Sequence, residues 1–283
     1  MDIKDFCAAL FLAAENEGFK EYEAYYVSGE QFHVNILEGE VDKYSVNTYS
    51  GLSFRVKQGK QISYVSTTAL DPQEIPVLIS TIKDNFKVLQ STDEQFIYSG
   101  QGEYPQVATY NPELSRVSIQ DKIALAKQLE KEALAFDERI VRVRSAVVSS
   151  GEGMVYMQNS NGISLTKKDN YIFSYVMPIA QQGDEMNSTV AYICTRNFDD
   201  INPAALAKRS CEEAISLLSA KSVDTGKYKT IIRSDAMCEL LDTFWTVFSA
   251  DEVQKGVSLF AGKVGQTVAS PNLTIIDDPL LAS

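Results

Sequence analysis

Four alternating stretches at 31–37, 41–49, 52–57 and 61–67, with only a few residues between them, limit what this chain can build. Period-two alternation of apolar and polar residues marks each as a half-buried strand. Glu38-Gly39-Glu40, Ser50-Gly51 and Gln58-Gly59-Lys60 supply turn residues between them. Connections this short permit only antiparallel neighbours, because a parallel pair needs a crossover of roughly a dozen residues. The reading is an antiparallel meander.

Helical patterns flank it. Residues 3–18 place Ile3, Cys7, Leu10, Phe11 and Ala14 on one face. Asp71-Pro72 opens a second helix through about Val88, with Ile75, Val77, Leu78, Ile82 and Phe86 as its apolar positions. Residues 1–95 therefore read as a first α+β domain. The stretch 96–117 lacks periodicity and reads as a linker. From 118 to 222 the same order returns: a helix at 118–136, then the strand "RIVRVRSAVVSS". The stretch "MVYMQNS", an Asn161-Gly162 hairpin turn and "ISLTKKDNYIFSYVMPIAQQ" follow. "STVAYICTRNF" adds a strand, and Asn202-Pro203 starts a helix running to about Ser219. The shared order is an echo of architecture without a residue-level repeat. The fold class is α+β, built from helix–antiparallel meander–helix units.

Residues 223–283 begin a third domain. A strand is expected at 229–233 and another in "NLTIID". Between them Ser234 is placed as the cap of a helix whose stripe is Met237, Leu240, Leu241, Phe244, Trp245 and Phe248. That stripe is read as core. One helix and two strands cannot close a core of their own, so this domain is read as incomplete.

Composition removes several classes of function. The net charge of −12 and the lack of a basic cluster argue against a direct nucleic-acid partner. No apolar run approaches the roughly 20 residues of a membrane span, so no membrane partner is expected. The run "FCAALFLAA" is preceded by Asp2 and Asp5 and followed by Glu15 and Glu17, an amphipathic helix and not a signal peptide. Cys7, Cys194, Cys211 and Cys238 are dispersed and form no CxxC pair; they read as reduced, buried thiols of a cytoplasmic protein.

His33 is the single histidine, so a two-histidine zinc site cannot be built within this chain. It alternates with Phe32, Val34 and Ile36, which puts it on the polar, wet face of a strand. Glu38 and Glu40 read as a solvated turn. Asp277-Asp278 lacks the converging ligands a cation needs, and Glu239 and Asp242 read as the polar side of the last helix. In "GVSLFAGKVGQTVAS", Lys263 follows Gly262 directly and Gly265 is followed by Gln266. The phosphate-loop register is therefore absent, and Ser270-Pro271 favours a strand over the helix such a loop requires. The segment reads as a glycine-containing connection. No catalytic, cofactor-binding or metal-binding residue is assigned.

The order of motifs is more specific than any one of them. The meander "LEGEVDKYSVNTYSGLSFRVKQGKQISYVSTT", the hairpin "MVYMQNSNGISL" and the succession "TGKYKTIIRSDAMCELLDTF", "FSADEVQKGVSLFAGKVGQTVAS", "LTIIDDP" together resemble the TldD/PmbA family along essentially the whole chain. Members are cytosolic peptidase-associated proteins, also described as modulators of DNA gyrase. The resemblance implies a third, β-rich domain that continues past the DDP motif. It also distinguishes two branches. The TldD type carries a zinc-binding HExxxH on the helix before the glycine-punctuated segment; the PmbA or TldE type lacks it. Here the matching window, 241–247, reads "LDTFWTV", with no histidine. The resemblance thus implies a PmbA/TldE-like chain, not catalytic on its own, that acts on unfolded peptides with an HExxxH-bearing partner or as a self-dimer. Zinc is expected only in that partner. The alternative is a non-proteolytic protein that modulates another enzyme such as DNA gyrase.

Overall fold

A computed structural model describes residues 1–90, 94–100 and 102–281. The parts of the readings above that concern 91–93, Gln101 and 282–283 lie outside the described residues. The chain divides into a unit of 1–220 and a unit of 221–281.

The first unit opens with α1 (Ile3–Asn16), whose first turn is closed by the Asp2 carboxylate accepting from the Lys4 N–H at 3.1 Å. Then come β1 (Glu21–Leu37), β2 (Glu40–Gln58), β3 (Gln61–Thr67) and α2 (Glu74–Val88). The second half repeats the order with α3 (Ile119–Leu134), β4 (Ile140–Asn159), β5 (Ser164–Gln182), β6 (Glu185–Ser188), β7 (Ala191–Thr195) and α4 (Pro203–Ser216). Ser118 and Asn202 cap α3 and α4, accepting from Asp121 N at 3.1 Å and Ala205 N at 3.0 Å. The strands join one antiparallel sheet in the order β3-β2-β1-β4-β5-β6, with β7 also on β5.

Ser50-Gly51 is not a turn. β1 begins at Glu21, earlier than the alternation suggests, and gives β2 a partner along its whole length. Ser50 pairs with Ser28 and Gly51 with Val27, within a ladder whose register is continuous from the Glu21/Lys57 pair to the Asn35/Lys43 pair. A ladder partner decides such a dipeptide, because every pairing satisfies backbone groups that a turn would leave to water.

All four helices of this unit lie on one face of the sheet and build two cores there. α1 and α2 cover Ala24 and Tyr26 of β1, Leu52, Phe54 and Val56 of β2, and Tyr156 of β4. α3 and α4 cover Phe32, Val34 and Ile36 of β1, Ala146 and Val148 of β4, and Ile172 and Val176 of β5. β1, β4 and β5 thus run through the strip between the cores. Val77, expected to be apolar contact on α2, is exposed; Ile79 is buried in its place, beside the expected Ile75, Leu78 and Ile82.

The clasp between the halves is the "NS-x-G" hairpin. Asn159 Oδ1 accepts from the N–H groups of Asn161 and Ile163 at 3.0 and 3.1 Å, fixing the tip. Its amide donates to Tyr98 O at 2.8 Å and to the buried Glu23 at 3.1 Å. Glu23 in turn accepts from Arg55 Nε at 2.7 Å. Ser160 exchanges hydrogen bonds with Tyr22, donating its N–H to Tyr22 O at 2.9 Å and accepting from Tyr22 N at 3.0 Å.

The second unit contains α5 (Ser234–Phe244), a 3₁₀ turn at Trp245–Phe248 and α6 (Ala250–Gln254). Neither 229–233 nor 272–277 is a strand among the described residues. A strand without a neighbour leaves its backbone groups unpaired, and alternation alone cannot supply one. The helix begins at Ser234 with Arg233 in the cap position, so Ser234 is not the cap. The stripe read as core is exposed at Met237, Leu240, Phe244, Trp245 and Phe248.

Two of the four thiols are buried and two are not: Cys7 and Cys211 are enclosed, while Cys194 and Cys238 are exposed, against the expectation that all four are buried. Burial, with Asp2 near Cys7 and Asp137 near Cys211, pushes both enclosed thiols up from 9.0 to about 12. At pH 8, iodoacetamide should therefore label Cys194 and Cys238 at least an order of magnitude faster than Cys7 and Cys211, read by peptide mass spectrometry. The raised thiols also set the sign of alkaline behaviour. Their contribution to stability is complete below pH 9.0 and is lost as the pH rises towards about 12, because the unfolded chain releases these protons first.

Candidate functional site

Between the two cores the inward alternation turns polar. Ser28 and Glu30 of β1 lie between buried Tyr26 and Phe32, Ser150 and Glu152 of β4 lie between buried Val148 and Tyr156, and Lys168 and Asn170 of β5 lie beside buried Ile172 on the same face. These residues line a cavity of about 450 Å³. Phe32, Leu114 and Met154 contribute its apolar wall, and Ser115 and Lys122 close it from the side of α3.

The rim is held by Asn170, which is buried and mimics a strand partner. Its carbonyl oxygen accepts from Asn111 N at 2.9 Å and its amide donates to Asn111 O at 2.7 Å. Its backbone N–H also donates to Thr109 O at 3.2 Å. This zips the segment before α3 against β5 and carries Tyr110 and Ser115 over Glu152. Ser115 Oγ donates to Glu152 Oε2 at 2.6 Å, and Tyr110 Oη donates to Glu152 Oε1 at 3.0 Å.

Lys122, in the first turns of α3, is half-buried. Its Nζ donates to Ser150 Oγ at 2.9 Å and stands 5.2 Å from the centre of the Phe32 ring. Burial holds its ammonium below the ordinary lysine range, opposed by the negative fields of Glu30 and Glu152. Glu30 and Glu152 are direct cross-strand partners. The pocket thus contains two facing carboxylates, a half-buried ammonium and a second lysine, Lys168, whose Nζ is 6.0 Å from the Tyr110 ring centre. It can hold an ion pair or a dipolar molecule.

On the opposite face of the same strip, tyrosines lie across glycines. A Cβ on Gly29 would stand 2.5 Å from the Glu152 carbonyl oxygen and 2.5 Å from Tyr49 Oη; one on Gly151 would stand 2.5 Å from the Tyr171 ring. A ring can swing aside, but the Glu152 carbonyl belongs to the sheet and cannot. Gly29→Ala should therefore lower stability by about 1–3 kcal/mol, the range for overpacking. Gly151→Ala should cost less, as denaturant titration would show.

None of the residues weighed from the sequence lies in this pocket. His33 is half-buried on the helix-free face, its Nδ1 2.8 Å from Ser149 Oγ. Glu38 and Glu40 are exposed at the β1–β2 turn. Glu239, Asp242, Asp277 and Asp278 are exposed in the second unit. The glycine-punctuated segment is a run of turns: Lys263 N donates to Phe260 O at 3.0 Å and Gln266 N to Lys263 O at 3.0 Å. No helix follows it among the described residues, so it offers no helix N-terminus to a phosphate. The pocket residues escaped the sequence reading because they lie on three strands and a loop. Only the cross-strand register shows that the polar interruptions coincide.

The zinc that the resemblance attaches to an HExxxH helix can be tested against the donors present. α5 and the turn after it offer Asp235, Cys238, Glu239 and Asp242 and no imidazole. Among the described residues, no group of three or more His, Cys, Asp or Glu side chains converges as a metal site would require. These residues do not fit a zinc-activated water. Nor is any described helix long and apolar enough to cross a membrane.

Comparison with known proteins agrees with the motif order. The profile of the PmbA/TldA metallopeptidase domain 1 matches residues 22–84, that of the central domain 112–218 and that of the C-terminal domain 225–283. An uncharacterised protein of Methanocaldococcus jannaschii is 23% identical over 273 residues, covering 96% of this chain and 61% of its own length. A metalloprotease PmbA homolog of Buchnera aphidicola is 22% identical over 254 residues, 88% of this chain and 56% of its own length. Among solved structures, a candidate modulator of a DNA gyrase from Thermotoga maritima superposes with a TM-score of 0.85 at 26% identity, over 94% of this chain and 60% of that one. TldE from Thermococcus kodakarensis shares the fold, with a TM-score of 0.76 at 16% identity, over 91% of this chain and 60% of that one. The chain thus spans about 60% of the length of these relatives. With all three domain profiles matched in order, the chain belongs to the PmbA/TldD family.

Proposed function

We propose that this chain is a PmbA/TldE-like subunit of a TldD-type metallopeptidase system that works in the cytoplasm on unfolded peptides, and that it has no zinc site of its own. Family membership supports the peptidase association. The observation that carries the branch is the "LDTFWTV" window, where the resemblance places the zinc helix and where Asp242 is the only metal-capable side chain. Zinc lowers the pKa of a bound water so that it attacks at neutral pH; this window cannot hold the ion, so that chemistry belongs to an HExxxH-bearing partner. The role left to this chain is to complete the partner's site and to present peptide to it.

The reading is tested by affinity purification from cells, followed by metal analysis and a peptide-cleavage assay. An HExxxH-bearing protein should co-purify, and cleavage of unfolded peptide should need both chains. Stoichiometric zinc together with cleavage by the isolated chain would sink the idea of a metal-free subunit. DNA gyrase subunits recovered without such a partner would favour the modulator reading, which is also the description borne by the Thermotoga structure.

A further inference from the structure

The pocket between the two cores carries an arrangement that strand packing does not call for. Glu30 and Glu152 are directly opposed on β1 and β4, and like charges in that position destabilise a sheet. Glu152 is accounted for by its bonds from Ser115 and Tyr110. The Glu30 carboxylate accepts no hydrogen bond and closes no salt bridge among the described residues; its negative field reaches the Lys122 ammonium across the cavity. Across the cavity, Lys122 is half-buried, and among the described residues its ammonium donates to the neutral Ser150 hydroxyl. A solvated gap in the helical cover would need neither a half-buried ammonium nor an unmatched carboxylate facing it. Such local inconsistency in an otherwise regular pattern marks a functional position.

We propose that this pocket binds a short zwitterionic peptide, with the free ammonium on Glu30, the free carboxylate on Lys122, and the chain between them against Phe32 and Met154. Its volume, about 450 Å³, falls in the roughly 300–1,000 Å³ range of ligand pockets. Two opposite charges on the ligand answer the Glu30 carboxylate and the Lys122 ammonium together, which neither a simple anion nor a simple cation does. The peptide-processing function proposed above supplies the source of such a ligand, and the inference rests on it for that source alone. The site would hold peptide fragments with both ends free, products of cleavage and not intact unfolded chains.

The test is calorimetric titration of this chain with trialanine at low salt, beside N-acetylated trialanine and trialanine amide. Trialanine should bind in the millimolar range or tighter, and each cap should weaken binding by about tenfold or more, since each removes a charge-assisted contact. Glu30→Gln should abolish discrimination against the acetylated peptide, and Lys122→Met should abolish discrimination against the amide. Glu30 is exposed, so its variant should fold; if Lys122→Met does not, Glu30→Gln decides alone. No binding of trialanine, equal binding of the capped peptides, or discrimination that survives in Glu30→Gln would overturn the proposal. Running the cleavage assay with the partner in parallel separates the two readings. Cleavage without trialanine binding sinks the pocket alone; trialanine binding without any partner-dependent cleavage sinks the subunit reading alone.

Discussion

Glu130→Ala should lower the stability of the first unit by about 2–4 kcal/mol, the sum of two charge-assisted hydrogen bonds reduced by partial rehydration. Glu130 lies on α3 with 3% of its surface exposed, and its carboxylate accepts from the N–H groups of Glu38 and Gly39 at 2.7 Å each. It thereby pins the β1–β2 turn to the helix. The turn needs this hold, because Glu38 has a φ of 55°, a left-handed conformation that residues with a Cβ adopt at a cost. The turn is exposed, so water takes over part of the freed bonding; that keeps the loss below the full two-bond sum. Glu130→Gln should recover about half of it, since an amide keeps one accepting oxygen. Urea titration with an unchanged slope would measure both. A loss under about 0.5 kcal/mol for the alanine variant, the size of an ordinary surface change, would show that the carboxylate does not hold the turn.

Phe54→Ala should cost about 3–5 kcal/mol, the range for removing a buried ring and leaving a cavity. Phe54 is fully buried in β2 and meets Phe11 and Tyr22, with ring centres at 6.2 and 6.5 Å. α1, β1 and β2 converge on it, so no neighbour can fill the space without moving an element. The two cores are separate clusters on a shared sheet. Amide exchange should accordingly rise most in α1, α2 and β3 and least in α3 and α4. Uniform acceleration across both halves would mean that the sheet couples the cores into one cooperative unit.

Legibility from sequence followed the range of the interactions involved. The first helix was readable because Ile3, Cys7, Leu10, Phe11 and Ala14 obey local periodicity, and the helix after Asn202-Pro203 because its cap and first-turn proline are local signals. The Asn161-Gly162 hairpin was readable because its signal is a dipeptide between alternating runs. The supposed turn at Ser50-Gly51 was misread, since its fate depends on Ser28 and Val27, more than twenty residues away. The stripe from Met237 to Phe248 was correctly periodic and wrongly taken as core. Periodicity reports a shared face, and burial depends on what covers that face. The pocket was invisible, because Glu30, Glu152 and Lys122 carry no motif and meet only through strand pairing and the placement of α3.

The sequence by itself determined the α+β class, the helix–meander–helix order, the family, and the lack of an imidazole in the 241–247 window, where the resemblance would place a zinc helix. These follow from residue identity and from interactions within a few positions along the chain. The tertiary structure alone decided that β1 and β4 carry two cores on one face, and that the strip between the cores gathers two facing carboxylates and a half-buried ammonium. Cross-strand register brings together residues more than a hundred positions apart, and no local pattern encodes that register.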